Sequence, residues 1–314
     1  MTTVEGIPGK LVQMIGRAVL GRQEAVELAA CSFIAGGHLL IEDVPGVGKT
    51  TLARALAKAS GGEFRRVQFT SDLMPADITG VSVWNPSSSE FVFKPGPVFG
   101  NVVLSDEINR APPKTQSALL EAMSERQVSV DGRPLPLPDP FMVVATQNLQ
   151  EQHGTYPLPE SQLDRFMMRI NMGYPDRDAE RLVVSRQTLD DPVDLVEPVI
   201  RAQTMPDLVA RVDRVRMDDT VLDYLMELVA RTRTTDLLAM GVGPRGGMDL
   251  HRASRAMATL KGRDYCIIDD IKGLATSVLT HRVIPAGASG DSVQDRETAE
   301  RAIVEIVDSL EIPL

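Results

Sequence analysis

The chain is acidic and long enough for about two domains. Of its 314 residues, 43% are hydrophobic and 24% are charged, and the formal net charge is −10; this is the composition of an ordinary globular protein. The negative charge disfavours general electrostatic binding of nucleic acid, although a local basic channel inside an oligomeric ring stays compatible with it. The two cysteines, Cys31 and Cys266, form no CxxC or metal-binding spacing and are expected to be reduced core thiols.

Neither a targeting segment nor a membrane span is expected. Residues 1–10 do not place an apolar stretch behind basic residues, as a signal peptide would. No run in the sequence approaches the roughly 18 apolar residues that a transmembrane helix needs. The sequence therefore predicts a cytoplasmic protein.

The chain up to about residue 175 alternates short apolar runs with helical patterns, which predicts a parallel sheet covered by helices on both faces. Residues 11–35 read as helices interrupted near Arg22. Five apolar runs predict strands: His38–Ile41, Arg66–Phe69, Asn101–Leu104, Phe141–Ala145 and Met168–Met172. Helices are predicted at Lys49–Ala59 and from Pro112 to Glu125. Inserted hairpins are predicted near residues 80–100 and 127–138.

The pattern becomes helical after Pro175. Four segments with helical spacing of apolar residues predict helices: Asp178–Thr188, Thr220–Arg231, Met248–Leu260 and Glu297–Leu310. Residues 284–294 are expected to form a loop. We therefore predict an α/β domain at residues 1–175 and a smaller all-helical domain at residues 176–314.

Residues 43–50 carry an arrangement that binds phosphate. They read Asp-Val-Pro-Gly-Val-Gly-Lys-Thr, directly after the first apolar run and directly before a helix. Glycines let backbone N–H groups surround a phosphate, and the helix N-terminus adds partial positive charge. Lys49 is expected to reach the β- and γ-phosphates of a nucleotide and Thr50 to bind Mg²⁺; Asp43 stands where the usual pattern has glycine. The expected nucleotide-binding residues of this segment are Pro45, Gly46, Val47, Gly48, Lys49, Thr50 and Thr51.

The third apolar run ends in two adjacent acids, Asp106 and Glu107. We expect Asp106 to hold Mg²⁺, directly or through water, and Glu107 to polarise the water that attacks the γ-phosphate. Alone, such a pair equally suits a solvated turn, because acids often close strands. Its position after Lys49 in the same predicted sheet favours the catalytic interpretation.

Asn148 follows the next apolar run. A polar side chain at the carboxyl end of a neighbouring strand can orient the attacking water and sense the γ-phosphate, because ligands bind at that edge of open α/β sheets. The alternative is an ordinary turn residue.

Each of two arginines could have either a catalytic or a purely structural role. Arg165 precedes the fifth apolar run and could reach a neighbouring subunit's nucleotide, where an arginine supplied in trans neutralises charge in the transition state. Alternatively, it forms a surface salt bridge with Asp164 or Glu160. Arg245 is expected to begin a helix of the second domain and could report the nucleotide state to that domain, or could have no role beyond the helix start.

Longer strings of the sequence resemble the MoxR branch of the AAA+ ATPases. They are RVQFTSDLMPADITG at residues 66–80, FKPGPVF at 93–99, DEINRAPPKTQ at 106–116 and GTYPLPE at 154–160. Together they span most of residues 10–175. In the second half the resemblance rests only on GPR at 243–245 and HRV at 281–283.

The resemblance implies a AAA+ core with strand order 5-1-4-3-2 and a helical lid, with hairpin insertions in the second helix and before the strand that ends near Asn148. It implies Asn148 as the sensor 1 residue, Arg165 as the arginine finger and Arg245 as sensor 2. It also implies ATP and Mg²⁺ as ligands, a hexameric ring, and partner proteins carrying von Willebrand factor A domains. It places the adenine beside three residues, Val19, Leu20 and Gly21.

Several functions stay open at this point. An oligomeric ATPase that remodels or matures partner proteins, as a MoxR-like chaperone, is favoured by the complete set of hydrolytic residues. A nucleotide-gated scaffold with little turnover would use ATP occupancy only as a switch. A nucleic-acid motor is disfavoured by the acidic balance. A chelatase-type motor subunit, which supports magnesium insertion into a porphyrin, shares the features of the branch.

Overall fold

Helices and strands alternate through the first half of the chain, and helices dominate the second. The computed structural model describes residues 6–148, 154–185, 191–200 and 204–312. Its helices are α1 (Ile7–Ala18), α2 (Gln23–Ile34), α3 (Lys49–Ala59), α4 (Pro75–Thr79), α5 (Pro113–Glu125), α6 (Glu160–Leu163), α7 (Arg177–Ser185), α8 (Met205–Arg214), α9 (Asp219–Thr234), α10 (Pro244–Leu260), α11 (Ile268–Leu279) and α12 (Ser292–Ser309). Its strands are β1 (Leu39–Glu42), β2 (Phe64–Gln68), β3 (Gly80–Asn85), β4 (Glu90–Pro95), β5 (Val102–Asp106), β6 (Gln127–Val130), β7 (Arg133–Pro136), β8 (Met142–Gln147), β9 (Met168–Ile170), β10 (Leu238–Met240) and β11 (Ile284–Pro285).

Five strands form one parallel sheet in the order β2-β5-β8-β1-β9. Counted along the chain, these are the first to fifth strands of the sheet, and their order read from the β9 edge is the predicted 5-1-4-3-2. The fold prediction is confirmed. Because all five strands point the same way, their carboxyl ends lie at one edge, which is where ligands bind in open α/β sheets.

Four of the five strands, β1, β5, β8 and β9, are buried on both faces, whereas the edge strand β2 is largely exposed. On β1, Leu39 and Ile41 join a core that includes residues of α1, α2 and α3, whereas Leu40 joins a second core that includes residues of α5. Successive side chains of a strand point to opposite faces, so a strand covered on both sides reads as an unbroken apolar run. This explains why the strands were visible in the sequence.

Both predicted hairpins are present. β3 pairs with β4 and β6 pairs with β7, each antiparallel. At the tip of the first hairpin the rings of Trp84 and Phe91 pack edge to face with centroids 5.2 Å apart. At its base, Gly80 has φ +99°, and a Cβ there would lie 2.4 Å from Lys94 O. Only glycine fits this position, which fixes where the hairpin begins.

The second half is helical apart from one small sheet, so the prediction of an all-helical region is corrected in that detail. β10 and β11 pair antiparallel, with Leu238 opposite Pro285. Strands this short carry no detectable periodicity. The predicted loop of residues 284–294 is shorter than expected at both ends, because it begins with β11 and ends where α12 starts at Ser292. Asp291 caps α12 by accepting hydrogen bonds from N–H groups of its first turn, so the helix begins before the predicted Glu297. The predicted end of α7 at Thr188 lies outside the described residues.

A buried ionic cluster joins the central sheet to α12. Arg169 on β9 pairs with Glu42 on β1 and with Glu300 on α12, each at 3.1 Å, and Arg296 also pairs with Glu42. Burial lowers the pKa of Arg296 to about 10, so its guanidinium stays charged at neutral pH. Since Glu42 directly precedes Asp43, the cluster fixes the start of the phosphate-binding loop against the last helix. Among the described residues, no helix is long and apolar enough to cross a membrane.

Candidate nucleotide-binding site

The loop between β1 and α3 has the backbone geometry that phosphate binding requires. Gly46 has φ +85° and Gly48 has φ +95°, in the region that favours glycine. Lys49 is the first residue of α3, so the unpaired N–H groups of the first helical turn lie at the end of the loop. The Nζ of Lys49 donates to Asp43 O at 2.7 Å, which holds the side chain back across the loop.

Asp43, at the position where the usual pattern has glycine, fastens the loop to the segment after β9. Its Oδ1 accepts from Val44 N at 2.8 Å, and its Oδ2 accepts from Met172 N at 2.7 Å and Gly173 N at 2.6 Å. Glycine could form none of these bonds. The departure from the usual pattern therefore anchors the loop, and Gly46 and Gly48 keep the positive φ angles expected of such a loop.

Lys49 lies half-buried and faces acids. Burial lowers the pKa of Lys49, and the charges of Asp43, Asp106 and Glu107 act in the opposite direction. An ammonium group that has lost part of its hydration gains from a nearby anion more than one in open water does. The position suits a cation that receives a phosphate group.

The two acids at the end of β5 are held by side chains from neighbouring strands. Asp106 Oδ1 accepts from Thr146 Oγ1 at 2.7 Å, and Asp106 Oδ2 pairs with Arg66 Nη2 at 2.6 Å. Glu107 Oε2 accepts from Gln68 Nε2 at 2.9 Å. Both carboxylates are thus oriented by contacts that cross from β2 and β8.

Glu107 adopts a backbone conformation that side chains rarely take, with φ +57°. Such a conformation costs on the order of 1–3 kcal/mol and persists only where the surroundings hold it. Here Glu107 N donates to Thr146 Oγ1 at 2.9 Å, and Glu107 Oε2 pairs with Arg110 Nε at 2.9 Å. The strain turns the carboxylate out of the strand direction, beside Gln68.

Three residues of this arrangement were missed in the sequence: Arg66, Gln68 and Thr146. Gln68 ends β2 and Thr146 lies next to the end of β8, whereas Arg66 is at the middle of β2. Gln68 stands opposite Asp106 in the register of β2 and β5. The rule that singled out Asn148, a polar residue at the end of a neighbouring strand, would also have found Gln68 and Thr146. A strand order is needed before that rule can be applied to β2.

The loop after β1 and the two acids at the end of β5 line one cleft of about 360 Å³. Its walls come from the loop after β1 and from the ends of β2, β5 and β8. The lining residues are Pro45, Gly46, Gly48, Lys49, Thr50, Arg66, Asp106, Glu107 and Asn148. Asn148 is 6% exposed. Of the loop residues expected to bind nucleotide, Val47 and Thr51 lie outside this lining, and Val47 is buried in the core.

The cleft offers oxygen donors of the kind that Mg²⁺ accepts. The hydroxyl of Thr50 and the carboxylate of Asp106 line it together, and Mg²⁺ in nucleotide sites takes few protein oxygens because phosphate oxygens and water complete its shell. Arg66, which pairs with Asp106, is half exposed and has room to move aside. The residues therefore fit a Mg²⁺ ion brought in with a nucleotide.

The predicted adenine residues lie beside the cleft and do not line it. Val19, Leu20 and Gly21 form the turn between α1 and α2. This turn is joined to the phosphate-binding loop through Met172, whose O accepts from Arg22 and whose N donates to Asp43. At Gly21 an added Cβ would lie 2.6 Å from the Cβ of Ala179 on α7, which explains the glycine. Adenine binding at this turn stays a prediction.

Arg165 and Arg245 lie at the opposite edge of the sheet. Arg165 precedes the amino end of β9 and donates from Nη1 to Leu120 O at 2.6 Å and to Ser124 Oγ at 2.9 Å. Arg245 lies in the first turn of α10, where its charge acts on His38, the residue before β1. Neither arginine lines the cleft at the carboxyl ends of the strands. The nucleotide roles predicted for Arg165 and Arg245 stay predictions.

The salt bridge considered for Arg165 is not formed with either acid. Asp164 pairs with Arg282 at 2.8 Å, and the side chain of Arg165 donates hydrogen bonds to α5 instead. Arg245 begins its helix as the sequence predicted and is exposed. Both guanidinium groups thus lie near the surface at one face of the molecule.

Gly46 provides a matched test of the loop geometry. Replacing Gly46 by alanine should lower ATP affinity at least several-fold and cost about 1–2 kcal/mol of stability, because a side chain is strained at its φ of +85°. Gly262→Ala is the control, since its φ is +76°, no atom lies within 4 Å of an added Cβ, and it lies in the turn after α10. Titration with a fluorescent ATP analogue and thermal unfolding check both variants; equal loss of ATP affinity in the two would contradict a phosphate-binding role for Gly46.

Comparisons with known proteins agree with this geometry. Residues 38–168 match the model of the ATPase family associated with various cellular activities (AAA), and residues 230–305 match the AAA lid domain. "Uncharacterized protein YeaC" of Bacillus subtilis is 47% identical, over 98% of this chain and 95% of that protein. "Chaperone MoxR1" of Mycobacterium tuberculosis is 37% identical, over 95% of this chain and 80% of that protein.

A solved structure has the same overall fold. The crystal structure of an ATPase candidate from Cytophaga hutchinsonii superimposes with a TM-score of 0.86 at 36% identity, covering 97% of this chain and 94% of that one. The family models, the relatives and the residues that line the cleft all indicate a AAA+ ATPase. The chain belongs to the MoxR family of AAA+ ATPases.

Proposed function

We propose that this chain hydrolyses ATP with Mg²⁺ in an oligomer whose active sites lie between neighbouring subunits. The observation that carries the proposal is the single cleft lined by Lys49, Thr50, Asp106, Glu107 and Asn148. Phosphoryl transfer to water needs a phosphate cradle, a metal-holding pair, a group that positions water and a sensor of the γ-phosphate. The cleft offers one candidate for each.

The roles follow from the contacts of each side chain. The loop N–H groups and Lys49 bind the phosphates. Thr50 and Asp106 would hold Mg²⁺, which when bound neutralises charge on the phosphate oxygens. Glu107, fixed by Gln68, accepts a hydrogen bond from the attacking water and polarises it. A scaffold that only binds nucleotide would have no need to keep Glu107 in its strained conformation.

The arginines at the opposite edge make the site a shared one. Neither Arg165 nor Arg245 lines the chain's own cleft, so each would serve the cleft of a neighbour. Head-to-tail contacts of this kind close into a ring when the rotation between subunits allows it. We propose a hexamer, in line with the resemblance, and a division near residue 175 into the nucleotide-binding domain and the lid.

The work done with ATP is proposed to be the remodelling or maturation of partner proteins. In support, one relative is named a chaperone, and the hairpin tip that carries Trp84 and Phe91 is exposed and apolar, as a surface that handles other proteins would be. A partner with a von Willebrand factor A domain and a cytoplasmic location are part of the same proposal.

The test is steady-state ATP hydrolysis by the wild-type chain over a range of protein concentrations, with and without Mg²⁺. We expect multiple turnover that requires Mg²⁺ and a rate per subunit that rises with concentration until assembly is complete. A rate per subunit that is independent of concentration would contradict the shared site. ATP binding without turnover at any concentration would favour the nucleotide-gated scaffold.

A further inference from the structure

Arg282 is a buried arginine far from the cleft. It ends the short turn Thr280–Arg282 between α11 and β11 and is only 4% exposed. A guanidinium group carries five N–H donors and keeps its charge, so burying it is favourable only where carbonyl and carboxylate oxygens accept those donors. The partners of Arg282 therefore indicate what its burial achieves.

Those partners belong to two separate parts of the chain. Arg282 Nε donates to Asp164 Oδ1 at 2.8 Å, and Nη2 donates to Phe166 O at 2.8 Å, both in the turn before β9. Nη2 also donates to Asp249 Oδ2 at 2.5 Å, on α10. Nη1 donates to Val278 O at 2.8 Å, which fixes the group to its own helix end. The side chain of Arg282 therefore connects the turn before β9 to α10 by hydrogen bonds.

Each of the two acids stands beside one of the surface arginines. Asp164 directly precedes Arg165, and Asp249 lies four residues after Arg245, one turn along the same face of α10. Burial raises the pKa of Asp249, and the charges of Arg282 and Arg245 oppose that rise. The hydrogen bonds of Arg282 thus join Asp164, the sequence neighbour of Arg165, to Asp249, on the same helix face as Arg245, across the boundary proposed between the domains.

We propose that Arg282 is a positioning residue that holds Arg165 and Arg245 as one unit, so that both enter the neighbouring subunit's nucleotide site together. The inference rests on the proposed function, in which both arginines act in trans. The side chain of Arg282 is 1% exposed, so it acts through Asp164 and Asp249 and touches no nucleotide. Its planar fork bonds both acids and two backbone carbonyl oxygens at once, which are more acceptors than the three N–H donors of a lysine can reach.

Positioning of this kind has a large effect on rate. A shift of about 1 Å in a charged group that stabilises a transition state can cost on the order of 100-fold. Arg282→Lys and Asp249→Asn should therefore lower turnover about 10- to 100-fold while the Kd for ATP stays within about 2-fold, because the subunit's own cleft is untouched. Asp249→Asn keeps the shape of the side chain and serves where Arg282→Lys fails to fold.

The decisive measurement is a double-mutant cycle on the full-length assembled protein. Each substitution is made in the wild-type chain and in a chain carrying both Arg165→Ala and Arg245→Ala, and slow rates are followed with radiolabelled ATP. We expect Asp249→Asn to lower turnover in the wild-type background and to change it less than about 2-fold in the background without the two arginines. Asp270→Asn is the matched control, since Asp270 is buried and bonded by the guanidinium of Arg263 at 2.5 and 2.9 Å; it should lower the Tm and leave turnover nearly unchanged.

Two outcomes overturn the inference. An equal loss of turnover in both backgrounds means that Arg282 and Asp249 only stabilise the fold. The second outcome is that removal of Arg165 and Arg245 lowers turnover but Arg282→Lys and Asp249→Asn leave it unchanged. The two surface arginines then do not need the hydrogen bonds of Arg282 to Asp164 and Asp249. If removal of Arg165 and Arg245 leaves turnover at the wild-type level, the shared site of the proposed function fails instead.

Discussion

Replacing Arg165 by alanine should lower the rate of ATP hydrolysis about 1,000-fold or more and leave ATP binding nearly unchanged. An arginine donated in trans contributes on the order of 10³–10⁵ to the rate of phosphoryl transfer. Arg165 does not line its own cleft, so the affinity of that cleft for ATP should change less than about 3-fold. Steady-state turnover and titration with a fluorescent ATP analogue measure the two quantities separately.

Mixed assemblies show in which direction the arginine acts. A subunit with Lys49→Ala is expected to lose nucleotide binding in its own cleft but to keep Arg165, whereas a subunit with Arg165→Ala keeps every residue that lines its cleft. Each variant alone should be inactive. In an equal mixture that assembles at random, about one interface in four joins an intact cleft to an intact arginine, so about a quarter of wild-type turnover should return.

A control separates this effect from general loss of surface charge. Arg231 is an exposed arginine on α9, and its Nη2 lies 3.7 Å from Glu227 Oε1. Exposed ion pairs contribute little to stability, so Arg231→Ala should leave turnover within about 2-fold of wild type. Failure of the mixture to regain activity, with assembly confirmed by light scattering, would mean that Arg165 does not act across the interface.

The sequence was sufficient for most of the fold because the central strands are covered on both faces. Burial on both sides turns each strand into an apolar run that stands out between helices, as at Val102–Asp106. The strand order came from resemblance alone, since an apolar run does not name its neighbour. The sequence did not predict the pairing of Leu238 with Pro285. Strands of two or three residues are too short to show the alternation of polar and apolar residues that marks a strand.

The site divides in the same way. Lys49, Thr50, Asp106 and Glu107 were predicted from local patterns, because a loop with its flanking strand and helix is a continuous piece of chain. Gln68 was missed, because its role depends on β2 lying beside β5. Contacts across the sheet bring it to Glu107, and these become visible only when the strands are in register.

The arginines illustrate the limit more sharply. The sequence suggested that Arg165 and Arg245 serve a nucleotide but did not say whose. In the structure Arg165 precedes β9 and Arg245 begins α10, and neither lines the cleft, which is why we propose that a neighbouring subunit uses them. Arg282, which connects them through two acids, had no local signal beyond the short string HRV at residues 281–283.

Glu107→Gln should abolish turnover and preserve nucleotide binding. A residue that polarises the attacking water contributes about 10²–10⁴ to the rate, and an amide cannot take over that role. The phosphates are bound by Lys49 and the loop, which the substitution does not touch, so the Kd for ATP should stay within about 3-fold. The amide oxygen can still accept a hydrogen bond from Gln68, so the Tm should change little.

The matched control is Glu63→Gln, which removes a carboxylate of the same size before β2, where it pairs with Arg65 at 2.5 Å on the exposed surface. Its turnover should equal that of the wild type. If Glu107→Gln hydrolyses ATP within about 3-fold of the wild-type rate, Glu107 does not polarise the water, and the strained conformation at φ +57° needs another cause. If the variant binds ATP without turnover, binding and hydrolysis are separate properties of this site, as expected when Glu107 acts only on the attacking water and Lys49 and the loop bind the phosphates.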